Sequence, residues 1–296
     1  MPPLLVSVVI PAHNRAHTLG YCLASVLGQS YGNIEVIVVD DGSSDQTGAV
    51  VRDIRDERLR LISHERPLGA QAARNTGIKA ARGAWIAFHD SDDEWLPERL
   101  QRQLAVLEQR GFDPHVAVHA DMIRYTPETG AREDWPLPEV AGPDAYATVL
   151  RAPGPVFQTL LVSRQALLEI GLLDENVPAF QEWESAIRLA RVCEFVHLHE
   201  PLAVYWLHQG ETISKNGRRE IDGLKYVLGK HREEIIRVAG QQAWLRHLAT
   251  LARRSLQLGF AGEAEAALGE IPWFSAIKWR TWAYFFCAKR GIGVKL

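Results

Sequence analysis

The motif HDSDD at 89–93 places three aspartates within four positions, directly after the apolar run AWIAF at 84–88. A second acidic pair occupies 40–41, directly after the apolar run IEVIVV at 34–39. Carboxylates that share a site disfavour each other's charged form, so such clusters need a cation, a polyol or water to be tolerable. Carboxylate oxygens are the ligands that Mg²⁺ and Mn²⁺ prefer, commonly together with substrate phosphates.

Each acidic cluster also fits a simpler interpretation. DDGSSDQT at 40–47 has the composition of a turn followed by a helix N-cap. DSDDEW at 90–95 fits an acidic helix start at the positive end of a helix dipole. An acidic pair at a strand end is also typical of phosphoryl-receiving signalling domains, but those are shorter and lack a second cluster of this kind. The presence of two clusters, each after an apolar run, favours a ligand site.

Two alternating periods in the first 125 residues predict the elements that position these clusters. Short valine-rich runs, typical of buried parallel strands, alternate with segments whose apolar residues recur at helical spacing. The predicted strands are 6–10, 34–39, 59–63, 84–88 and 115–125, and the predicted helices are 19–27, 69–82 with a stop at Gly83, and 97–110. This order predicts a mostly parallel sheet with helices on both faces, with ligands bound beyond the carboxyl ends of the strands.

The composition predicts a soluble globular protein. The chain has 296 residues, 47% of them hydrophobic and 23% charged, which suits one large domain or two modest ones. The net charge of −3 argues against a nucleic-acid partner. The three cysteines lie far apart with no metal-binding spacing, as in a reduced cytosolic protein. The segment MPPLLVSVVIPAHNR does not read as a signal peptide, and no run of about twenty apolar residues predicts a membrane span.

Four blocks of the sequence resemble the inverting family 2 glycosyltransferases of the GT-A fold. They are VSVVIPAHNRAHTLGYCLASVLGQSY (6–31), IEVIVVDDGSSDQT (34–47), LGAQAARNTGIKAARGAWIAFHDSDDEWLPERL (68–100) and GLLDENVPAFQEWESAIRLA (171–190). Together they cover roughly residues 4–210 in the family's order. The resemblance implies an α/β protein of the GT-A, Rossmann-like type, with a mostly parallel sheet flanked by helices.

The predicted domain boundary lies near residue 215. The glycosyltransferase domain is expected over 1–215, with a nucleotide-sugar half at about 1–110 and an acceptor half at about 111–215. The C-terminal part, 216–296, shows near-helical spacing and is predicted to be a helical region. The insert 126–145, rich in proline and acid, is predicted to be irregular.

The resemblance implies a divalent cation, Mn²⁺ or Mg²⁺, at the acidic motif. Asp90-Ser91-Asp92 matches the family's D-x-D motif. Asp92 is expected to hold the metal, and Asp90 to reach the ribose or the metal's ligand shell. Asp93 is expected to cap a helix or to support the site. His89 stands where the family usually has an apolar residue and is predicted to pack rather than to ligate.

The resemblance also implies a nucleotide-sugar donor, with a UDP-sugar expected. Pro11, Asn14 and Arg15 match the family's base-binding loop. Asp41 matches an aspartate that accepts a hydrogen bond from the uracil ring, and a carboxylate suits a base N–H. Arg74 matches an arginine near the base and diphosphate; otherwise it is a surface helix charge.

The acceptor hydroxyl must lose a proton as it attacks, which requires a general base. The family supplies an aspartate at a helix start, followed by tryptophan, and FQEWESAIRLA at 180–190 places Glu182 there. Glutamate is a departure from the family, so either the acceptor sits farther back or the site is impaired. Glu184 is the nearest rival. Residues two apart on a helix do not share a face, so only one of the two glutamates can face the site. The alternative interpretation is a plain amphipathic helix.

Features near the C-terminus leave alternatives open. Trp206 replaces an arginine that the family often has, while His208 remains. His208 either touches the diphosphate or the metal, or caps the loop 210–217, a candidate lid. The segment 271–296 interleaves seven aromatics with five lysines or arginines and has no acid. It suits peripheral contact with an anionic membrane, or it packs its aromatics on the domain.

The sequence therefore predicts a metal-dependent inverting glycosyltransferase. It is expected to move a sugar to a hydroxyl of a glycan or lipid-linked acceptor in bacterial surface polysaccharide synthesis. Its expected location is the cytoplasm, with peripheral contact at the inner face of the membrane. The alternative is a nucleotide-sugar-binding module without transfer activity. A dehydrogenase or sugar nucleotidyltransferase is disfavoured, because PAHNRAHT at 11–18 contains no glycine-rich phosphate loop.

Overall fold

The computed structural model describes residues 4–207, 216–273 and 275–279. These residues form two compact units. The first unit holds the described residues up to 146, with 154–175 and 185–207, and the second holds 147–153, 176–184 and the described residues from 216 onward. The helices after residue 215 thus share a unit with two short segments that precede the predicted boundary.

The first unit is built on a nine-stranded sheet, counted over the described residues. The strands are β1 Val6–Ala12, β2 Ile34–Asp40, β3 Leu59–Ser63, β4 Trp85–Phe88, β5 Glu94–Trp95, β6 Val116–Thr126, β7 Ala131–Trp135, β8 Leu161–Ser163 and β9 Glu194–Trp206. Their order is β3-β2-β1-β4-β8-β6-β9-β5, and β7 pairs with β6.

The sheet confirms the α/β prediction and is mixed in direction. The pairs β1–β2, β1–β4, β2–β3 and β6–β9 are parallel. β8 runs antiparallel between β4 and β6, β5 antiparallel to β9, and β7 antiparallel to β6. β7 lies inside the insert 126–145, so that segment is partly a hairpin and not wholly irregular.

Helices flank the sheet and make up the C-terminal part of the second unit. They are α1 Leu19–Leu27, α2 Thr47–Asp53, α3 Ala70–Ala80, α4 Arg99–Gln109, α5 Ala145–Arg151, α6 Arg164–Glu169, α7 Gln181–Leu189, α8 Gly217–Glu234, α9 Gln241–Gln257 and α10 Ala261–Glu270. α3 ends at Ala80, before the predicted stop at Gly83. A Cβ on Gly83 would lie 2.6 Å from the Leu5 carbonyl oxygen, so this glycine permits close packing against the chain just before β1.

The core of the first unit forms around the central strands. All seven residues of β1 and all seven of β2 are buried, which explains their continuous apolar runs. The buried residues of α1 recur at helical spacing and pack into the same core: Leu19, Cys22, Leu23 and Val26. The acidic motifs follow β2 and β4 and therefore lie at the carboxyl ends of two strands that both pair with β1.

Gly77 marks a close contact between α3 and β1. A Cβ at this position would lie 2.4 Å from Val9 Cγ1, and Val9 is fully buried. We expect Gly77→Ala to lower the free energy of unfolding by about 1–3 kcal/mol through overpacking. Gly20→Ala in α1 is the matched control, because its Cβ would meet nothing within 4 Å. Urea unfolding compares the two; equal losses of stability in both variants would contradict the packing argument.

Candidate active site

The acidic turn after β4 is held by residues from distant parts of the chain. The Asp90 carboxylate accepts hydrogen bonds from Arg74 Nη2 at 2.7 Å and from Gln158 Nε2 at 2.6 Å. Arg74 is buried in α3, and its guanidinium carbon lies 4.4 Å from the centre of the Phe157 ring. Arg74 is therefore not a surface helix charge. It joins α3 to the acidic motif.

Asp93 holds the acidic turn through contacts with residues distant in the chain. It is 1% exposed, and its carboxylate accepts from the Trp206 backbone N–H at 3.0 Å and from Gln158 Nε2 at 3.1 Å. Burial, together with the neighbouring charges of Asp92 and Asp90, raises the pKa of Asp93 well above its usual range. Asp93 does not cap a helix, since α4 begins only at Arg99. It ties the end of β9 to the motif.

Asp92 faces the loop after β1. Its carboxylate lies 3.3 Å from Arg15 Nε, and the Asp92 backbone oxygen accepts from the Tyr21 hydroxyl at 2.7 Å. The Asp92 and Asp90 side chains are 23% and 22% exposed, so both remain accessible to a ligand. The site therefore combines two accessible carboxylates with two arginines.

The aspartates of the motif do not by themselves enclose a cation. Among the described residues, Asp90, Asp92 and Asp93 are not a trio whose ligand oxygens all lie within 4.8 Å of one another. A cation held by Asp90 and Asp92 would take its remaining ligands from water and substrate phosphates. That arrangement is the usual one for Mg²⁺, so the residues fit such an ion.

His89 packs beneath the motif. It is fully buried, and its ring packs against Trp95 in a tilted arrangement with 4.7 Å between centroids. Burial and the neighbouring Arg99 charge lower the pKa of His89 well below its usual value, which keeps the ring neutral. Its position agrees with the predicted packing role.

The two predicted nucleoside loops are hydrogen-bonded to each other. Asn14, at a left-handed φ of 53°, accepts from the Ser44 backbone N–H at 2.9 Å through Oδ1. The Arg15 backbone N–H donates to Thr47 Oγ1 at 2.8 Å. Pro11 is buried inside β1, where it is paired in register with Val39. The structure thus brings the 11–15 loop and the 41–47 loop together at one edge of the sheet.

Asp41 already has several partners. Its carboxylate accepts from the backbone N–H groups of Leu68 and Gly69, each at 2.8 Å, and lies 2.7 Å from His64 Nδ1. Burial alone would raise the pKa of Asp41, but these hydrogen bonds outweigh it and lower the pKa. A carboxylate offers about four acceptor positions. A base N–H at Asp41 would therefore use the last of them.

Trp206 closes the site on the β9 side. Its indole stacks on Tyr21 with 4.7 Å between centroids and meets Tyr125 edge-on at 4.6 Å. The tryptophan that replaces the family's arginine therefore packs on aromatic rings. His208 and the loop 210–215 lie outside the described residues.

In the second unit, the structure separates Glu182 from its rival. Glu184 is fully buried, with its carboxylate 2.6 Å from Lys230 Nζ and 3.6 Å from His231 Nε2. Glu182 is half-buried in the first turn of α7. Trp183 Nε1 donates to the Val149 carbonyl at 2.6 Å, which fixes the rotation of this turn. Glu184 is therefore a structural ion-pair residue.

Part of the basic and aromatic segment lies within the described residues. Trp273 and Trp279 are 64% and 54% exposed, with 5.1 Å between ring centroids, and Lys278 Nζ lies 5.3 Å from the Trp273 centroid. Residues 274 and 280–296 lie outside the described part of the chain. Within the described part, no helix has the length and apolarity needed to cross a membrane.

Comparisons with known proteins identify the family of the chain. Residues 7–139 match the model of the family described as "Glycosyl transferase family 2". WfgD of Escherichia coli, a UDP-Glc:alpha-D-GlcNAc-diphosphoundecaprenol beta-1,3-glucosyltransferase, is 43% identical over 107 residues, or 36% of this chain and 42% of that protein. The first four curated relatives are matched over only 28–42% of their own lengths.

Two further matches span most of the chain. The mannosyltransferase PcManGT from Pyrobaculum calidifontis, solved in complex with GDP-Man and Mn²⁺, matches with a TM-score of 0.63 at 20% identity. The match covers 97% of this chain and 82% of the PcManGT chain. This similarity shows that the fold is GT-A. The amylovoran biosynthesis glycosyltransferase AmsB of Erwinia amylovora is 30% identical over 228 residues, or 72% of this chain and 75% of AmsB. With an alignment over most of both proteins, this chain belongs to glycosyltransferase family 2.

Proposed function

We propose that the chain transfers a sugar, with inversion, from a nucleotide diphosphate donor to an acceptor hydroxyl. The observation that carries the proposal is the pairing of Asp90 with Arg74 at 2.7 Å and of Asp92 with Arg15 at 3.3 Å. These pairs place accessible carboxylates and guanidinium groups side by side at the edge of the sheet. That mixture of charges suits a diphosphate bound together with a cation.

Asp92 and Asp90 are the residues that would hold a divalent cation in this proposal. Such a cation, when bound, neutralises charge that develops on the diphosphate as the glycosidic bond breaks. Arg15, whose side chain is 29% exposed, binds and orients the phosphate oxygens, because a guanidinium group matches phosphate geometry with paired hydrogen bonds. Arg74 is buried next to the phosphate site and orients the Asp90 carboxylate through its hydrogen bond. Gln158 and Asp93 hold the acidic turn in place through the hydrogen bonds described above.

The donor in this proposal is a UDP-sugar. The name of WfgD specifies UDP-Glc, and the PcManGT structure contains GDP-Man, so both bases occur among similar proteins. Pro11, Asn14 and Asp41 shape the base site. The Asp41 carboxylate can accept a hydrogen bond from a ring N–H of either base, so only a direct binding comparison separates the two.

Glu182 is the general base of the proposal. It removes the proton from the acceptor hydroxyl as that oxygen attacks the sugar. Its half-buried position leaves it reachable, whereas Glu184 is taken up by Lys230. The acceptor is a lipid-linked glycan of bacterial polysaccharide synthesis, by likeness to the diphosphoundecaprenol substrate in the name of WfgD and to AmsB. Exposed Trp273 and Trp279 suit contact with the lipid surface that carries such an acceptor.

The second candidate is a nucleotide-sugar-binding module without transfer activity. The observation that favours it is Glu182 in place of the family's aspartate. It predicts donor binding without sugar release to any acceptor or to water. Transfer of a radiolabelled sugar to a lipid-linked acceptor would exclude it.

Calorimetric titration of UDP and of GDP, with and without Mn²⁺, tests the donor site. We expect UDP to bind in a Mn²⁺-dependent manner, and Asp92→Asn to weaken this binding by at least about tenfold, or 1.4 kcal/mol. Asp53→Asn is the matched control, since Asp53 is an exposed aspartate at the end of α2. Tighter binding of GDP than of UDP would mean that the donor carries guanine instead of uracil. Equal UDP affinity with and without Mn²⁺ in wild type and Asp92→Asn would contradict the assigned metal ligands.

A further inference from the structure

A second cluster of metal-binding side chains lies on the β6–β9 pair of the first unit. Asp121 comes from β6, while His197 and His199 come from β9. One ligand atom from each lies within 4.8 Å of the others. None of these residues takes part in the donor site described above. We call these three residues, together with Glu139, the His–Asp cluster.

Two imidazole nitrogens converge on one carboxylate oxygen in this cluster. His197 Nδ1 and His199 Nε2 each lie 3.1 Å from Glu139 Oε2. Two ligands bound at about 2.0–2.1 Å to one tetrahedral metal are about 3.3 Å apart. Each imidazole nitrogen therefore lies only slightly closer to Glu139 Oε2 than two ligands of one tetrahedral ion would lie to each other.

The other nitrogen of His197 faces a second carboxylate. His197 Nε2 lies 2.9 Å from Asp121 Oδ1. A neutral imidazole donates one N–H and keeps one lone pair, so His197 can donate to one carboxylate and bind a metal through its other nitrogen. A metal at Nδ1 with an Nε2–H donated to Asp121 is the usual arrangement of a metal-bound histidine and its carboxylate partner.

The backbone places these side chains for a structural reason. His197 and His199 are two residues apart on β9, and side chains at that spacing on a regular strand point to the same face. The β6–β9 register then jumps from Ala120↔Leu198 to Asp121↔Pro201, which leaves the two residues between Leu198 and Pro201 out of the pairing. Such a bulge redirects side chains.

Hydrogen bonds hold the segment that carries Glu139 on both sides of that residue. The Leu137 backbone N–H donates to Asp121 Oδ1 at 2.8 Å. His119 Nε2 donates to the Val140 carbonyl oxygen at 2.8 Å. Because Asp121 and His119 both lie on β6, Glu139 is held next to the two histidines by the same strand that supplies the carboxylate behind His197.

Burial divides the cluster into an ordered half and an accessible half. The side chains of His197 and Asp121 are 1% and 13% exposed, whereas those of His199 and Glu139 are 67% and 59% exposed. The buried His119 ring stacks on His197 with 4.2 Å between centroids, and its Nδ1 has no hydrogen-bond partner among the described residues. An ion can thus reach a pre-oriented histidine from solvent.

We propose that the His–Asp cluster binds one divalent transition-metal ion of the Zn²⁺ type, with His197 Nδ1, His199 Nε2 and Glu139 Oε2 as ligands and Asp121 as the hydrogen-bond partner of His197. Two imidazoles and a carboxylate suit Zn²⁺ or Co²⁺, whereas Mg²⁺ prefers all-oxygen ligands. The bound ion joins the segment 137–140 to β9. This site is independent of the donor site and does not rest on the proposed function.

The test uses the full chain, stripped with a chelator and carrying Asp92→Asn so that the donor site contributes little metal binding. Zn²⁺ is titrated by calorimetry, and Co²⁺ is followed by its visible absorption. We expect one equivalent of Zn²⁺, no competition by Mg²⁺ and a Co²⁺ spectrum of low coordination number. His199→Ala should weaken Zn²⁺ binding by more than the roughly 10–100-fold that is typical of losing an outer hydrogen-bond partner. Glu139→Gln should weaken it as well.

His115→Ala is the matched control. His115 is also exposed in the first unit and lies between two carboxylates, 3.0 Å from Glu169 and 3.6 Å from Asp113, but within the described part of the chain it belongs to no group of three metal-binding side chains. Its loss should leave the Zn²⁺ affinity unchanged. Because His199 and Glu139 are exposed, their variants should keep the wild-type unfolding midpoint. Absence of stoichiometric Zn²⁺ binding, or equal affinities in His199→Ala and His115→Ala, would overturn the proposal.

Discussion

Glu182→Gln is expected to reduce the rate of sugar transfer roughly 10²–10⁴-fold while leaving donor affinity unchanged. The amide has nearly the same shape as the carboxylate but cannot take the proton of the acceptor hydroxyl. Donor binding is assigned to residues of the first unit, such as Arg15 and Asp92, and should not respond. Steady-state transfer to a lipid-linked acceptor and calorimetric titration of the nucleotide measure the two effects separately.

Glu184→Gln is the control for the Glu182 variant, and the two should show opposite behaviour. Glu184 is fully buried against Lys230, so removal of its charge should lower the free energy of unfolding by about 1–3 kcal/mol. Its transfer rate, measured at a temperature where the variant is folded, should stay within a few-fold of wild type. Glu182→Asp should retain activity, because it restores the residue type of the family motif. Full activity in Glu182→Gln would remove Glu182 as the base.

Glu35→Gln is expected to lower the free energy of unfolding by about 2–4 kcal/mol. Glu35 is 1% exposed in β2, and its carboxylate accepts hydrogen bonds from Ser7 Oγ, Arg60 Nη1, Arg82 Nε and the backbone N–H groups of Arg82 and Gly83. An amide would turn an NH₂ group toward some of these donors. The loss should appear as a lower denaturation midpoint in urea.

The same carboxylate makes the stability of the fold depend on pH. Burial by itself would raise the pKa of Glu35, but the hydrogen bonds from Ser7, Arg82 and Arg60 lower it from 4.5 to about 2. Because the pKa is lower in the folded state, the ionised carboxylate stabilises the fold above pH 4.5. This contribution, about 3 kcal/mol for a shift of that size, is lost as the pH falls from about 4.5 to about 2.

Unfolding of wild type and Glu35→Gln at several pH values tests this dependence. The difference in stability between them should shrink over that pH interval, because protonated Glu35 resembles the glutamine. Glu57→Gln is the control, since Glu57 is exposed and its change should have little effect at any pH. A difference that stays constant down to pH 2 would mean that folding does not lower the pKa of Glu35.

Local patterns in the sequence were enough to predict the half of the fold that holds the donor site. Clear apolar patterns mark the central elements: continuous apolar runs in β1, β2 and β4, and helical spacing in α1. The acidic motifs follow β2 and β4 directly, so the sheet edge that they share could be predicted. The family assignment came from the same blocks and is confirmed by the match to AmsB. The roles of Asp92, Asp41 and Glu182 within the site stay predictions.

Only the tertiary structure decided which residues support the sites. Gln158 binds both Asp90 and Asp93 although it lies 68 and 65 positions away in the chain. The sequence alone did not distinguish the roles of Glu184 and Glu182. The fold does, because it brings Lys230, 46 positions away in the chain, into contact with Glu184.

The histidines of the β6–β9 pair show the same limit. His197 and Asp121 are 76 positions apart, and they meet because β9 pairs with β6 in a register that sets His197 opposite His119, two residues before Asp121. Periodicity reports which face of an element is buried, but it carries no information about which distant element covers that face. Contacts between side chains far apart in the chain depend on strand order and register, which only the folded structure specifies.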